Sequence, residues 1–168
     1  TQLPNRRLFN DRLGQAVKRA QRTSSSLALM FVDLDKFKPV NDTYGHAAGD
    51  FMLQTVAKRL SGCLRSSDTA ARVGGDEFLV LLPDIPSGAD ALAVAEKIRS
   101  ALAEPCISPE GIELCISASI GIAIYPEHAG SEHELLRLGD RAMYEAKSAG
   151  GNRVKLINPE DGAGSSAA

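Results

Sequence analysis

The sequence lacks any surplus of positive charge. Its 19 Lys and Arg face 21 Asp and Glu, for a formal net charge of −2. That balance excludes the broad basic field by which proteins hold nucleic-acid backbones, and no nucleic-acid partner is expected. A polyanionic ligand would need a local site, helped by metal ions. Cysteine is scarce: Cys63, Cys106 and Cys115 form no CxxC pair and no disulfide framework, which predicts buried free thiols in a reducing compartment. Long apolar runs are missing too. The run at 27–32 is far shorter than the roughly 20 residues a membrane-spanning helix needs, and no signal peptide is visible. There is no internal repeat. The chain opens at Thr1 without Met and ends in DGAGSSAA. It reads as a cytoplasmic domain, 1–157, with a flexible tail or linker at 158–168, excised from a parent that can itself be membrane-anchored.

What is present is globular: 43% hydrophobic and 24% charged residues, enough to build one core. Apolar residues at helical spacing predict a helix over 5–22, broken by the polar run at 23–26. LALMFVD then predicts a buried strand ending in Asp33. A second helix carries Phe51, Leu53, Val56, Leu60 and Leu64, entered through GHAAGD. TAARV, Gly74-Gly75 and DEFLVLL predict a hairpin on a primed turn, because glycine reaches positive φ without steric cost. A helix over about 88–104 and a long strand over about 112–125 follow. Ser131 or Glu132 opens a last helix, stopped by Gly150-Gly151. The order is helix, β-α-β-β-α-β, helix. It predicts an α+β fold with a ferredoxin-like βαββαβ core and added terminal helices and hairpins.

That topology has a chemical consequence. The first strand and the hairpin are neighbours in one antiparallel sheet, so Asp33 and Asp76 can meet despite their separation in sequence. Paired carboxylates beside phosphate oxygens suit Mg²⁺, which takes oxygen ligands and keeps several waters. Two such ions roughly 3.5–4 Å apart can activate a hydroxyl and stabilise a leaving group. Equally, strand-end acids can simply cap a loop or solvate a turn. Asn41 and Asp50 add an amide and a carboxylate, the groups that match a guanine edge: one carboxylate accepts from two adjacent donors, and adenine offers only one. Gly45 and Gly49 would let a base approach the backbone, and Asp42 reads as a turn or cap residue. His128 and His133 match no pattern and are expected at the surface. Met143 and Tyr144 lie at helical core spacing.

Six segments occur together and in order: TQLPNR (1–6), DLDKFKPVND (33–42), GHAAGD (45–50), RVGGDEF (72–78), SASIGIA (117–123) and AMYEAKSAGGNR (142–153). In these the chain resembles the GGDEF domains, the diguanylate cyclase family of bacterial signalling proteins, over nearly its whole length. The resemblance implies a fold similar to adenylyl cyclases and polymerase palms, and condensation of two GTP into cyclic di-GMP with release of two pyrophosphates. It implies Mg²⁺ (or Mn²⁺) held by Asp33, Asp76 and the Leu34 carbonyl, with Asp76 sharing base catalysis and Glu77 as a supporting acid. Asn41, Asp50 and nearby His46 would read guanine, and Lys38 and Lys147 would contact the triphosphate. Gly74 and Gly75 would let phosphates lie against the backbone. Lys147 can also be read as a cation near a helix C-terminus.

One GTP per domain implies a homodimer with facing sites. RSSD at 65–68 reads either as a helix-end Arg with a strand-start Asp, or as an inhibitory site for the product. The family places such an RxxD five residues before its signature, and TAARV supplies those five, so Arg65 and Asp68 would bind cyclic di-GMP. The parent would carry sensory or phosphodiesterase domains. The chain departs from the pattern at Gly151, where a basic residue is common; Arg153 becomes the candidate second cation. A non-catalytic module sensing GTP or cyclic di-GMP is the alternative, opposed by intact Asp33, Asp76, Asn41 and Asp50. A palm polymerase or adenylyl cyclase fragment is opposed by Asp50 and the low basic charge.

Overall fold

Apolar side chains at odd and even positions of 27–34 leave a strand no face for water, and β1 (Leu27–Asp35) is the central strand of the molecule. The structure, a computed structural model, describes residues 2–158 and Glu160; the rest of the tail assigned to 158–168 lies outside the described residues. Around β1 a five-stranded sheet forms from β2 (Thr69–Arg72), β3 (Glu77–Leu82), β6 (Ser117–Tyr125) and β7 (Arg153–Leu156), in the order β2-β3-β1-β6-β7. β1 pairs antiparallel with β3 and β6, and β7 runs parallel to β6. The order of the four core strands is that of a ferredoxin-like sheet.

Period-two alternation sorts the two cores. Ala28, Met30, Val32 and Leu34 face one side, where they pack with α3 (His46–Gly62) and α4 (Gly88–Ala103). Leu27, Leu29 and Phe31 face the other, against α1 (Arg6–Thr23) and α5 (Glu132–Ser148). Asp33 and Asp35 continue the second set, so the alternation that buries the leucines delivers both acids to the α5 face. α5 begins at a Ser131 cap, whose hydroxyl accepts the Glu134 N–H at 3.2 Å, with Glu132 and Glu134 in its first turn favouring the positive end of the helix. It lies close on the sheet: a Cβ on Gly121 of β6 would fall 2.1 Å from the Met143 nitrogen.

Several expectations are corrected. The segment 112–125 is not one strand: β5 (Glu113–Leu114) pairs with β4 (Cys106–Ile107) in a separate two-stranded sheet, and Cys115 and Ile116 separate it from β6. The polar stretch 37–44, broken by Pro39 in its pattern, forms α2 (Phe37–Tyr44), and exposed Asp42 lies within it rather than capping it. The cysteines are free but not buried; Cys63 and Cys106 are half-buried and Cys115 is exposed. Tyr144 is 69% exposed while Met143 joins the core. His133 is exposed as expected, but His128 is buried. Its Nδ1 accepts the Ile124 N–H at 2.9 Å, a local tie that a lone histidine in sequence does not advertise.

Candidate active site

The β2–β3 hairpin closes on a Val73 N–H to Glu77 carbonyl bond of 3.0 Å, leaving Gly74, Gly75 and Asp76 as a three-residue loop. This is not the two-residue primed turn that Gly-Gly suggests, and neither glycine adopts positive φ. Turn chemistry therefore does not explain the glycines. A Cβ on Gly75 would meet nothing within 4 Å, and one on Gly74 would meet the Glu77 carboxylate at 3.2 Å. Arg72, at the end of β2, donates from Nε to the Gly74 and Gly75 carbonyls at 3.2 and 3.1 Å, and from Nη2 to Gly75 at 2.8 Å. The carbonyls are thus turned back toward the protein by a residue the sequence did not single out.

Register then brings the acids together. Asp33 sits opposite Glu77, and the Leu34 N–H donates to the Asp76 carbonyl at 3.1 Å. The expected meeting of Asp33 with the hairpin acids is realised. Asp33 has a side chain only 13% exposed, and its buried Oδ1 has no hydrogen-bond partner. Lys147 Nζ, reaching from α5, lies 3.3 Å from that oxygen and 3.5 Å from the Leu34 carbonyl. Burial pushes the Asp33 carboxyl up to about 6, helped by the Asp76 and Glu77 charges and opposed by Lys147.

The donors on this edge are hard oxygens: two carboxylates and a carbonyl. Among the described residues no group of three or more His, Cys, Asp or Glu side chains forms a closed metal cage. An open set with a buried carboxylate oxygen whose one near neighbour is a lysine cation fits Mg²⁺ or Mn²⁺, which would draw its remaining ligands from water and phosphate.

A second group forms where α2 meets α3. Gly45, with φ of 92°, joins the two helices. A Cβ on Gly49 would fall 1.7 Å from Asn41 Oδ1. Gly49 therefore makes room for the Asn41 side chain. Asn41 is half-buried against Gly49 in the first turn of α3, and His46 and Asp50 of that same turn are exposed. Lys38 is exposed on α2, with no described bond to the carboxylates.

Arg65 and Asp68 pair with each other. Nε and Nη2 of Arg65 donate to the two Asp68 oxygens at 3.3 and 3.0 Å, and Nη2 also reaches the Pro83 carbonyl at 2.9 Å. Asp68 is 3% exposed and Arg65 54%. Beside them a cleft of about 260 Å³ opens among Arg12, Arg19, Ser67, Pro83 and Asp84.

Asp35 is the residue that sequence reasoning missed. Its oxygens accept from Ser117 and Ser119 hydroxyls, both at 2.7 Å, and from the Asn152 N–H at 2.8 Å. The signal available was its two-residue spacing from Asp33, which places both on one face. Arg153 opens β7 beside Ser119, its Nε donating to the Gly151 carbonyl at 3.1 Å.

A palm-like sheet with two acids at the β2–β3 hairpin beside its central strand defines the class, and comparison with known proteins defines the family. A family model described as diguanylate cyclase, GGDEF domain, matches residues 1–153. The chain belongs to the GGDEF domain family. The chain is 46% identical over 160 residues to diguanylate cyclase TpbB of Pseudomonas aeruginosa, covering 94% of this chain and 37% of that protein. It is 50% identical over 153 residues to the bifunctional diguanylate cyclase/cyclic di-GMP phosphodiesterase MucR of the same species, covering 90% of this chain and 22% of that protein. The chain thus spans well under half the length of these relatives. Among solved structures, the crystal structure of the TpbB GGDEF domain superposes with a TM-score of 0.91 at 45% identity, over 94% of this chain and 98% of that one. Among the described residues, no helix is long and apolar enough to cross a membrane.

Proposed function

We propose that this domain is a diguanylate cyclase that condenses two GTP into cyclic di-GMP. The observation that carries the reading is the buried Asp33 Oδ1, ion-paired with Lys147 at 3.3 Å, beside the Leu34 carbonyl and the Asp76–Glu77 edge. Asp33, Asp76 and the Leu34 carbonyl would hold Mg²⁺ (or Mn²⁺), which when bound supplies positive charge for the triphosphate and the attacking oxygen.

The protein's own residues do the rest. Asn41 and Asp50, with His46 adjacent, bind the guanine edge, while Lys147, Lys38 and Arg153 meet phosphate oxygens. The Gly74–Gly75 backbone, free of side chains and held by Arg72, lets those oxygens approach closely. Asp76, supported by Glu77, accepts the proton of a 3′-hydroxyl as that oxygen bonds to the α-phosphorus of the second nucleotide. The bond from α-phosphorus to the bridging oxygen breaks, and pyrophosphate leaves. Two such steps close the ring. Each domain holds one GTP, so the reaction requires a homodimer with facing sites.

Product inhibition belongs to the same reading. Arg65, anchored by Asp68 and with a side chain 54% exposed, would bind the guanine or phosphate of cyclic di-GMP. Attached sensory or phosphodiesterase domains in the parent would govern dimer formation. The test is incubation with GTP and Mg²⁺, with products resolved by mass spectrometry. Wild type should yield cyclic di-GMP and pyrophosphate and Asp76→Ala neither; GTP left intact by a folded, dimeric wild type would defeat the proposal.

A further inference from the structure

Asp35 is not among the residues that the proposed reaction uses, yet it is the most heavily hydrogen-bonded acid on this face. Oδ2 accepts the Ser117 hydroxyl at 2.7 Å and the Asn152 N–H at 2.8 Å. Oδ1 accepts the Ser119 hydroxyl at 2.7 Å and lies 3.8 Å from Lys147 Nζ. One carboxylate therefore ties together three separate pieces of chain: the end of β1, the start of β6 and the α5–β7 turn.

That turn is closed at the helix end by the Gly150 and Gly151 N–H groups, which donate to the Lys147 and Ala146 carbonyls, both at 3.1 Å. Gly150, Gly151 and Asn152 then have φ values of 122°, 73° and 48° in succession, and of the three only Asn152 carries a side chain into the left-handed region. Lys36, directly after Asp35, also sits at φ 56°. The hydrogen bond from the Asn152 N–H to Asp35 ties this corner to the end of β1. A Cβ at Gly151 would fall 3.0 Å from the Asp35 carboxylate, so glycine there is what permits the contact. The same turn ends the helix that carries Lys147, its penultimate residue.

We propose that Asp35 is a positioning residue, which fixes Lys147 for the triphosphate by tying the end of β1 to the α5–β7 turn. The inference rests on the proposed reading of Lys147 as a phosphate contact. With the turn held, the Lys147 ammonium stands 3.3, 3.5 and 3.8 Å from Asp33 Oδ1, the Leu34 carbonyl and Asp35 Oδ1, at the edge where phosphate oxygens would arrive. Asp35 touches neither substrate nor reacting atoms; it acts through the lysine and the turn. It also accounts for the glycine at 151: a side chain there would push against the carboxylate that sets Lys147.

The test compares binding of an α,β-methylene GTP analogue with binding of guanosine, by calorimetry in Mg²⁺, for wild type, Asp35→Asn, Lys147→Ala and the double variant. Asp35→Asn should weaken the analogue about tenfold while shifting guanosine by less than about twofold, in line with the usual effect of losing a supporting partner. The double variant should bind the analogue no more weakly than Lys147→Ala. Parallel losses for both ligands, additive losses in the double variant, or unchanged analogue affinity would each overturn the proposal. Should Asp35→Asn fail to fold, Ser119→Ala keeps the carboxylate and removes one of its ties. It should then show a smaller loss, again confined to the analogue, and equal effects on both ligands would overturn the idea. Lys147→Ala binding the analogue like wild type would instead remove the phosphate role of Lys147 on which the inference stands.

Discussion

Asp33 is held in an environment that disfavours its charge, and the cost can be read by titration. Its carboxyl is raised from 3.8 to about 6 in the folded chain, first by burial. The folded state therefore binds a proton that the unfolded state has lost, and stability falls as pH rises from about 4 to about 6. Above that window the penalty is complete, on the order of 3 kcal/mol. Urea denaturation in EDTA should show Asp33→Asn more stable than wild type at pH 7.5, with the gain shrinking toward pH 4. Mg²⁺ affinity should weaken as pH drops below about 6, because the bound ion must displace that proton. His128 tilts stability the other way. Burial lowers it from an ordinary value near 6.5, so the unfolded chain takes up a proton the folded chain refuses. Stability contributed by neutral His128 is present above pH 6.5 and declines below it. The fall in melting temperature between pH 7 and pH 5 should be smaller in His128→Asn than in wild type. An equal fall in both would clear His128 of that role.

At the scale of elements, two glycines on helix contacts make opposite predictions. Gly49 faces the far end of one side chain, Asn41, whereas Gly121 faces the backbone of α5 at 2.1 Å. Asn41 can swing aside, so Gly49→Ala should keep its melting temperature and lose GTP affinity by at least about tenfold, given what a displaced positioning group costs. Gly121→Ala has no such escape and should destabilise by roughly 1–3 kcal/mol or more, as overpacked cores do. Thermal melts and GTP titrations on the pair separate the two outcomes.

The elements also explain what the sequence made legible. Alternation in β1 and the order of strands were enough to bring Asp33 to the hairpin acids, because that meeting depends only on topology. α2 went unseen because it is short, polar and interrupted by Pro39, and its helicity comes from packing on α3. β7 is four half-buried or exposed residues, RVKL, stabilised by its parallel neighbour β6. The Gly-Gly pair predicted the wrong turn, since the ladder closes one residue later, at Val73 and Glu77. Asp35 stayed hidden because its partners are 82, 84 and 117 residues away.

For the whole molecule, the central consequence of the proposed function is that one domain would supply half of the chemistry. Initial rate per protein should rise with protein concentration until dimers saturate, and mixing wild type with excess Asp76→Ala should depress product as mixed dimers form. Arg65→Ala should leave early turnover intact but abolish its slowing as cyclic di-GMP accumulates; unchanged product affinity by calorimetry would exclude the inhibitory role of Arg65. The most direct test of the account fuses the domain to a dimerising coiled coil and quantifies cyclic di-GMP formed from GTP and Mg²⁺. The wild-type dimer should convert two GTP to one cyclic di-GMP and two pyrophosphates, while the Asp76→Ala dimer stays inactive. A folded wild-type dimer that binds GTP yet makes no cyclic di-GMP would contradict the account.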